Sequence, residues 1–202
     1  LQNAEAYAKP EDIKQYIGEA YFFRAYSYFD LLQLYGDVII TKKPLDITDP
    51  EMKVKRNDRS EVVDLIIDDL NHAVENLPAF KELTTEEEGR ISKEGAQAFL
   101  SRVALYEGTW QKSRNGNQNT QRSANLLDIA AKAARTVIDA KYGYTFRLFG
   151  TDSETKILGD SAQKYMFILE NEKSNPAGIK KSSNHEYIFA RRHDQVLSLI
   201  HI

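Results

Sequence analysis

The chain has no cysteine among its 202 residues, which excludes disulfides, thiolate metal sites and cysteine nucleophiles together. It has no apolar run approaching the roughly 20 residues that span a bilayer. It has no excess of either charge: 27 basic and 30 acidic residues are interspersed and leave a net charge of −3. Without a basic face or tail, nothing argues for nucleic acid as a partner. The four histidines, His72, His185, His193 and His201, show no metal-ligand spacing. There is no Gly-x-Ser-x-Gly elbow, and Gly116 lacks the Lys-Ser/Thr that completes a phosphate loop. Nothing in the sequence calls for a cofactor or a metal.

What remains is ordinary material for a folded core, 42% hydrophobic and 28% charged. A compact chain of this size buries roughly 70% of its extended surface, so the core needs no staples. Four segments carry helical periodicity, over about 12–35, 60–77, 92–110 and 123–140. The first is the most aromatic, with Tyr16, Tyr21, Phe22, Phe23, Tyr26, Tyr28, Phe29 and Tyr35. Ile17, Ala20, Tyr21, Arg24, Ala25, Tyr28, Leu31, Leu32 and Tyr35 form one face, and Phe22, Tyr26 and Phe29 a second stripe. The expectation is a central helix packed on two sides, with Gly36 as its stop.

In the second helix, Val63, Ile66, Ile67, Leu70, Ala73, Val74 and Leu77 make the apolar stripe, and Asp58 or Ser60 can cap the start. Asp64, Asp68 and Asp69 fall mostly off that stripe and read as solvent-facing rather than as paired catalytic carboxylates. His72, beside them, reads as a solvated helix position. The third stripe is Ala96, Phe99, Leu100, Val103, Tyr106 and Trp110; the fourth is Leu127, Ala130, Ala131, Ala134, Val137 and Ile138. Alanine there permits close helix–helix approach, as in an antiparallel hairpin.

The connections are long and polar. One opens with the β-prone run Val38-Ile39-Ile40-Thr41, one carries Glu86-Glu87-Glu88, and one spans 112–122. Near the C-terminus, 186–190 has strand character. The fold class is therefore mainly α: tetratricopeptide-like antiparallel helix pairs with long loops and a little β structure near the C-terminus. Helix starts near 60, 92 and 123 give about 31 residues per helix, whereas a tetratricopeptide unit fits two helices into about 34, so the array is irregular.

Trp110 is the ligand-binding candidate. At the end of the third helix, before a polar loop, its ring suits the C–H face of a sugar; the competing reading is a ring that closes the helix pair. The run Gly18-Glu-Ala-Tyr-Phe-Phe-Arg-Ala-Tyr-Ser-Tyr-Phe-Asp-Leu31 followed by Leu34-Tyr-Gly-Asp-Val38 resembles the central helix of the SusD/RagB family of glycan-binding outer-membrane lipoproteins. Blocks at 59–74, 89–108, 130–139 and 184–190 resemble that family in the same order. The resemblance implies a tetratricopeptide-like scaffold with a looped ligand-binding portion, and a lipid anchor at the extracellular face of the outer membrane. It implies binding of an oligosaccharide or peptide without bond breaking, as a cap on a SusC-like TonB-dependent transporter.

The matching blocks are scaffold, so no binding residue is carried over by position. The chain starts at Leu1 rather than Met and lacks the family's anchoring cysteine, which reads as a fragment lacking both termini. Residues 1–196 read as part of one such domain, and 197–202 as the translation of a sequencing-library adapter. Two other classes are weighed. One is an intracellular tetratricopeptide-like scaffold that binds a peptide. The other is an all-helical enzyme, which requires convergent carboxylates in a cleft.

Overall fold

The computed structural model describes residues 9–84, 86–87, 89–114, 120–169, 171–180 and 184–189. Helix α1 spans Pro10–Tyr35, and Pro10 at its first turn has its φ already set for a helix. Gly36 ends it at φ 72°, a conformation that disfavours a side chain, and its N–H donates to the Leu32 carbonyl. The chain then returns through an irregular segment to α2, Arg59–Asn76. The β-prone run makes one antiparallel bridge, Val38 to Asn57, rather than a strand. The Asn57 side chain accepts from Ile40 N–H at 2.9 Å, and the Tyr28 hydroxyl accepts from Thr41 N–H at 2.7 Å.

Asp58 caps α2 by accepting from Ser60 N–H at 2.8 Å, and Glu61 accepts from the Asn57 amide instead of completing a capping box. Gly18 near the start of α1 lies against Leu77, and Gly36 at its end lies near Arg59, so α1 and α2 run antiparallel. A Cβ on Gly18 would sit 2.9 Å from Leu77 Cγ and 3.0 Å from its backbone N, which is why the seam needs glycine there.

Helix α3 spans Lys93–Arg114 and α4 Thr120–Ile138, so both reach further into the polar connection than the periodicity predicted. They form the second antiparallel pair: Ser123 Oγ donates to the Gly108 carbonyl and Ser101 Oγ to that of Ala130. The buried stripe of α4 is Ser123, Leu126, Ala130, Ala133 and Val137: Ala130 and Val137 belong to the predicted set, Leu126 and Ala133 stand one position before the predicted Leu127 and Ala134, and Ile138 is exposed. Helix α2 also packs on α3, joining the pairs into one core.

After α4 the chain is mostly irregular, with a 3-10 segment, Lys156–Ser161, leading into one short α-helix, α5, Ala162–Tyr165, around a small cluster of Leu158, Ala162, Leu169 and Ile179. The strand expected at 186–190 is absent over its described part, 186–189. A strand needs repeated backbone pairing. Here the segment is tied by a bond from Arg147 N–H to the His185 carbonyl, by the Glu186 carboxylate accepting from Phe149 N–H, and by the Tyr187 hydroxyl donating to the Met166 carbonyl. The expectation for 197–202, together with Ala190, Arg191, Arg192, His193 and His201, falls outside the described residues.

One correction concerns α1. Its buried arc is Gly18, Phe22, Ala25, Tyr28, Phe29 and Leu32, which straddles the two predicted stripes. Phe22 and Phe29 make edge-on ring contacts with Phe99 at 5.5 Å. Tyr16, Phe23, Tyr26, Leu31, Leu34 and Tyr35 are exposed, so among the described residues the helix packs on one side and not two. A helix that is apolar all round gives periodicity no means of choosing the arc that meets a neighbour.

Candidate functional site

Three arginine–carboxylate forks organise the polar interior. Asp69 sits in the buried arc of α2 and is completely buried; Arg24 of α1 donates to both its oxygens, from Nε at 2.7 Å and from Nη2. Those hydrogen bonds to Asp69 raise the Arg24 pKa above its ordinary value, outweighing its desolvation. Glu107 of α3, also completely buried, accepts from Arg59 Nε at 3.0 Å, from Arg59 Nη2 at 2.8 Å and from the Gln111 amide at 2.6 Å. Arg90, just before α3, makes a fork of two 2.7 Å bonds to Glu19 of α1, which raise its own pKa further.

The reading of Asp64, Asp68 and Asp69 as one solvent-facing group is therefore corrected. Asp64 and Asp68 are exposed, but Asp69 occupies the 62–66–69–73 register of the core. Its partner is a cation and not a second acid, so it lacks the convergent carboxylates that an acid–base pair needs. His72 is half-buried rather than fully solvated: its ring lies 5.0 Å from that of Tyr21, with Glu75 at 3.5 Å and Asp68 at 3.8 Å. His185 shares a 2.9 Å hydrogen bond with the Tyr144 hydroxyl, whose pKa is pushed up by burial. Among the described residues, no group of three or more histidines, aspartates or glutamates is placed to hold a metal.

Trp110 lies one turn beyond Tyr106, with which it stacks at 6.2 Å. The Arg59 guanidinium carbon is 4.3 Å from its ring centroid and that of Arg114 is 4.7 Å away, both within cation–π range. The ring thus continues the Arg59–Glu107 cluster. Arg59 itself is half-buried, whereas Arg114 is exposed at the last turn of α3.

Two open grooves flank α2. One, about 570 Å³, separates α2 from α4; Ile67, Leu126 and Ile129 form its floor, and Asn71, Gln121 and Asn125 project polar groups into it. Arg122 crosses this groove to Asp64 at 2.7 Å. The other, about 980 Å³, lies between α2 and the segment holding Ile40, Lys42 and Lys43. Both share Asp64 and Asp68. Such linings offer carboxylates and amides to hydroxyl groups, and among the described residues no aromatic ring lines either groove to serve as a stacking platform.

No helix among the described residues is long and apolar enough to cross a membrane. A model of the SusD-like proteins, described as "Starch-binding associating with outer membrane", matches residues 1–105. SusD-like protein P38 of Formosa agariphila is 37% identical over 93 residues, covering 46% of this chain and 17% of that protein. The crystal structure of a SusD-like protein from Bacteroides fragilis superposes with a TM-score of 0.64 at 26% identity, over 93% of this chain and 29% of that one. A structure described as a laminarin-binding SusD-like protein gives 0.53 at 27% identity, over 70% and 27%. The chain therefore spans less than a third of the length of each of these relatives. With the family match covering more than half of its residues, the chain belongs to the SusD-like family.

Proposed function

We propose that this chain is the helical scaffold of a glycan-binding subunit in an outer-membrane nutrient-uptake complex. The protein binds an oligosaccharide without breaking it and caps a SusC-like TonB-dependent transporter, held at the extracellular face by a lipid anchor. The observation that carries this reading is the family match over residues 1–105. Of the three buried carboxylates among the described residues, Asp69 and Glu107 are each committed to an arginine, and Glu94 accepts from Phe80 N–H. Family membership also takes precedence over an intracellular peptide-binding scaffold.

The grooves beside α2 bring hydrogen-bonding groups without rings, and Trp110 brings a ring flanked by guanidinium groups. A saccharide that uses Trp110 displaces the exposed Arg114 from its ring. A glycan array on the full-length protein tests the function, and the expected result is capture of one oligosaccharide class. Capture of peptides with no glycan bound would overturn it. Trp110 is the one tryptophan of the chain. Replacing Trp110 with Phe and then titrating the selected glycan by calorimetry decides its part: an unchanged affinity removes it from the site.

A further inference from the structure

The described residues form two apolar clusters that share no side chain. One is the core of α1–α4; the other is Leu158, Ala162, Leu169 and Ile179, with Phe149 and Tyr165 packed against it. The segment Lys156–Ser161 and α5, which contribute to the second cluster, pack chiefly on each other rather than on the long helices. Burial of four apolar side chains, one of them an alanine, does not offset the entropy of ordering about thirty residues. The small cluster therefore depends on ties to its surroundings, and residues 184–189 supply them on two sides. Asn184, almost completely buried, accepts from Glu186 N–H at 2.9 Å and fixes the turn. Toward the cluster, the Glu186 carboxylate accepts from Phe149 N–H at 2.8 Å, and the Tyr187 hydroxyl donates to the Met166 carbonyl at 3.3 Å, at the end of α5. Toward the helices, the His185 ring stacks on Tyr144 at 6.0 Å, and Tyr144 packs on Phe80, whose N–H is held by the buried Glu94 at 2.8 Å. The Phe189 ring lies edge-on to Phe22 of α1 at 5.9 Å.

We propose that residues 184–189 are a clasp. They fasten the small cluster to the helical block, and when the clasp lets go the cluster opens as a unit while α1, α2 and α3 stay folded. The two sides of the clasp differ in kind. Its helical side is ring packing onto Tyr144 and Phe22, residues anchored on the core. Its cluster side is two side-chain hydrogen bonds, that of Tyr187 being exposed. Water competes directly for such bonds, so release begins at Phe149 and Met166. The arginine forks cross-link α1, α2 and α3, so the opening does not spread into them. The inference concerns the architecture of this region and is independent of which ligand the protein binds.

The test is hydrogen exchange read by mass spectrometry on the full-length protein and on two variants. Glu186→Ala combined with Tyr187→Phe removes both bonds on the cluster side. Glu186→Gln alone keeps an oxygen that can accept from Phe149 N–H. In the unmodified protein, amides over 156–169 should exchange faster than those over 62–73 of α2; they include Leu158 and Met166, which donate to the Thr155 and Ala162 carbonyls. Loss of a hydrogen bond to a charged acceptor favours opening by about 10-fold or more, so the double variant should exchange 156–169 faster by that factor. Exchange over 62–73 should stay unchanged, and Glu186→Gln should fall between the double variant and the unmodified protein. Unchanged exchange over 156–169 in the double variant would overturn the proposal. So would equal acceleration over 62–73, or protection over 156–169 that matches α2 in the unmodified protein, since either would make the two clusters one cooperative unit.

Discussion

Removing the Arg59 side chain while keeping Glu107 isolates the cost of a stranded buried charge. In the native structure the guanidinium makes hydrogen bonds to both Glu107 oxygens and a further one to the Leu32 carbonyl, while the Glu107 side chain has no solvent exposure. Arg59→Met preserves much of the volume against Trp110 and removes the cation. Breaking a buried pair from one side costs about 3–5 kcal/mol, because the remaining ion keeps its desolvation penalty. Against a total stability of about 5–15 kcal/mol that is a large fraction. With a urea m-value near 2 kcal/mol/M it lowers the midpoint by about 2 M. The double substitution Arg59→Met with Glu107→Gln removes both charges, and its new amide oxygen can still accept from Gln111, so most of the loss should be recovered. Urea unfolding followed by circular dichroism reads both. A single-variant loss below about 1 kcal/mol, or a double variant no more stable than the single, would refute the claim that the pair is a desolvated unit.

Arg24→Ala should destabilise more than Asp69→Ala, because Asp69 has no route to water whereas the Arg24 side chain is 29% exposed and can turn outward; the order of urea midpoints checks this. Gly18→Ala should cost about 1–3 kcal/mol through the close approach to Leu77, while Ser27→Ala on the same helix should stay within about 0.5 kcal/mol in the same assay. Burial pushes the Asp152 carboxyl up, but bonds from the Thr155 hydroxyl, Thr155 N–H and Glu154 N–H together hold it below the ordinary value of 3.8. With the folded value depressed, the contribution of that turn is complete above the ordinary value and is lost as pH falls through the lower one. An NMR titration of the Thr155 amide should show its midpoint below 3.8, and a midpoint above that value would contradict the geometry.

The four long helices were legible from their apolar periodicity, and two of them also from boundary chemistry: Pro10 and Gly36 for α1, and Asp58 for α2. Helix faces were less legible. In α4 the partial offset arises because Ala130, Ala131, Ala133 and Ala134 fit either side of the helix, and only packing against α3, where Gly108 meets both Leu126 and Leu127, decides. In α1 apolar residues all round gave two candidate stripes, and the true seam lay between them. Asp69 and Glu107 carried a signal that periodicity could have used, since each occupies a register position between buried apolar neighbours and thus calls for a buried cation. The identity of that cation was not legible, because Arg24 lies 45 residues from Asp69 and Arg59 lies 48 from Glu107. For the binding site, residues 18–38 identified a scaffold, and a scaffold motif carries no information about which side chains meet a sugar.

The three arginine forks also limit how the helical block can move. Each joins different elements: α1 to α2, α2 to α3, and the segment before α3 back to α1. Sliding either neighbour past α2 by a turn, about 5.4 Å, would part the guanidinium from the carboxylate that joins them and leave a buried acid, Asp69 or Glu107, stranded in the core. Shear between these helices is therefore closed as a mode of motion. Motion within this region is left to its connecting segments, with α1, α2 and α3 carried as one rigid piece.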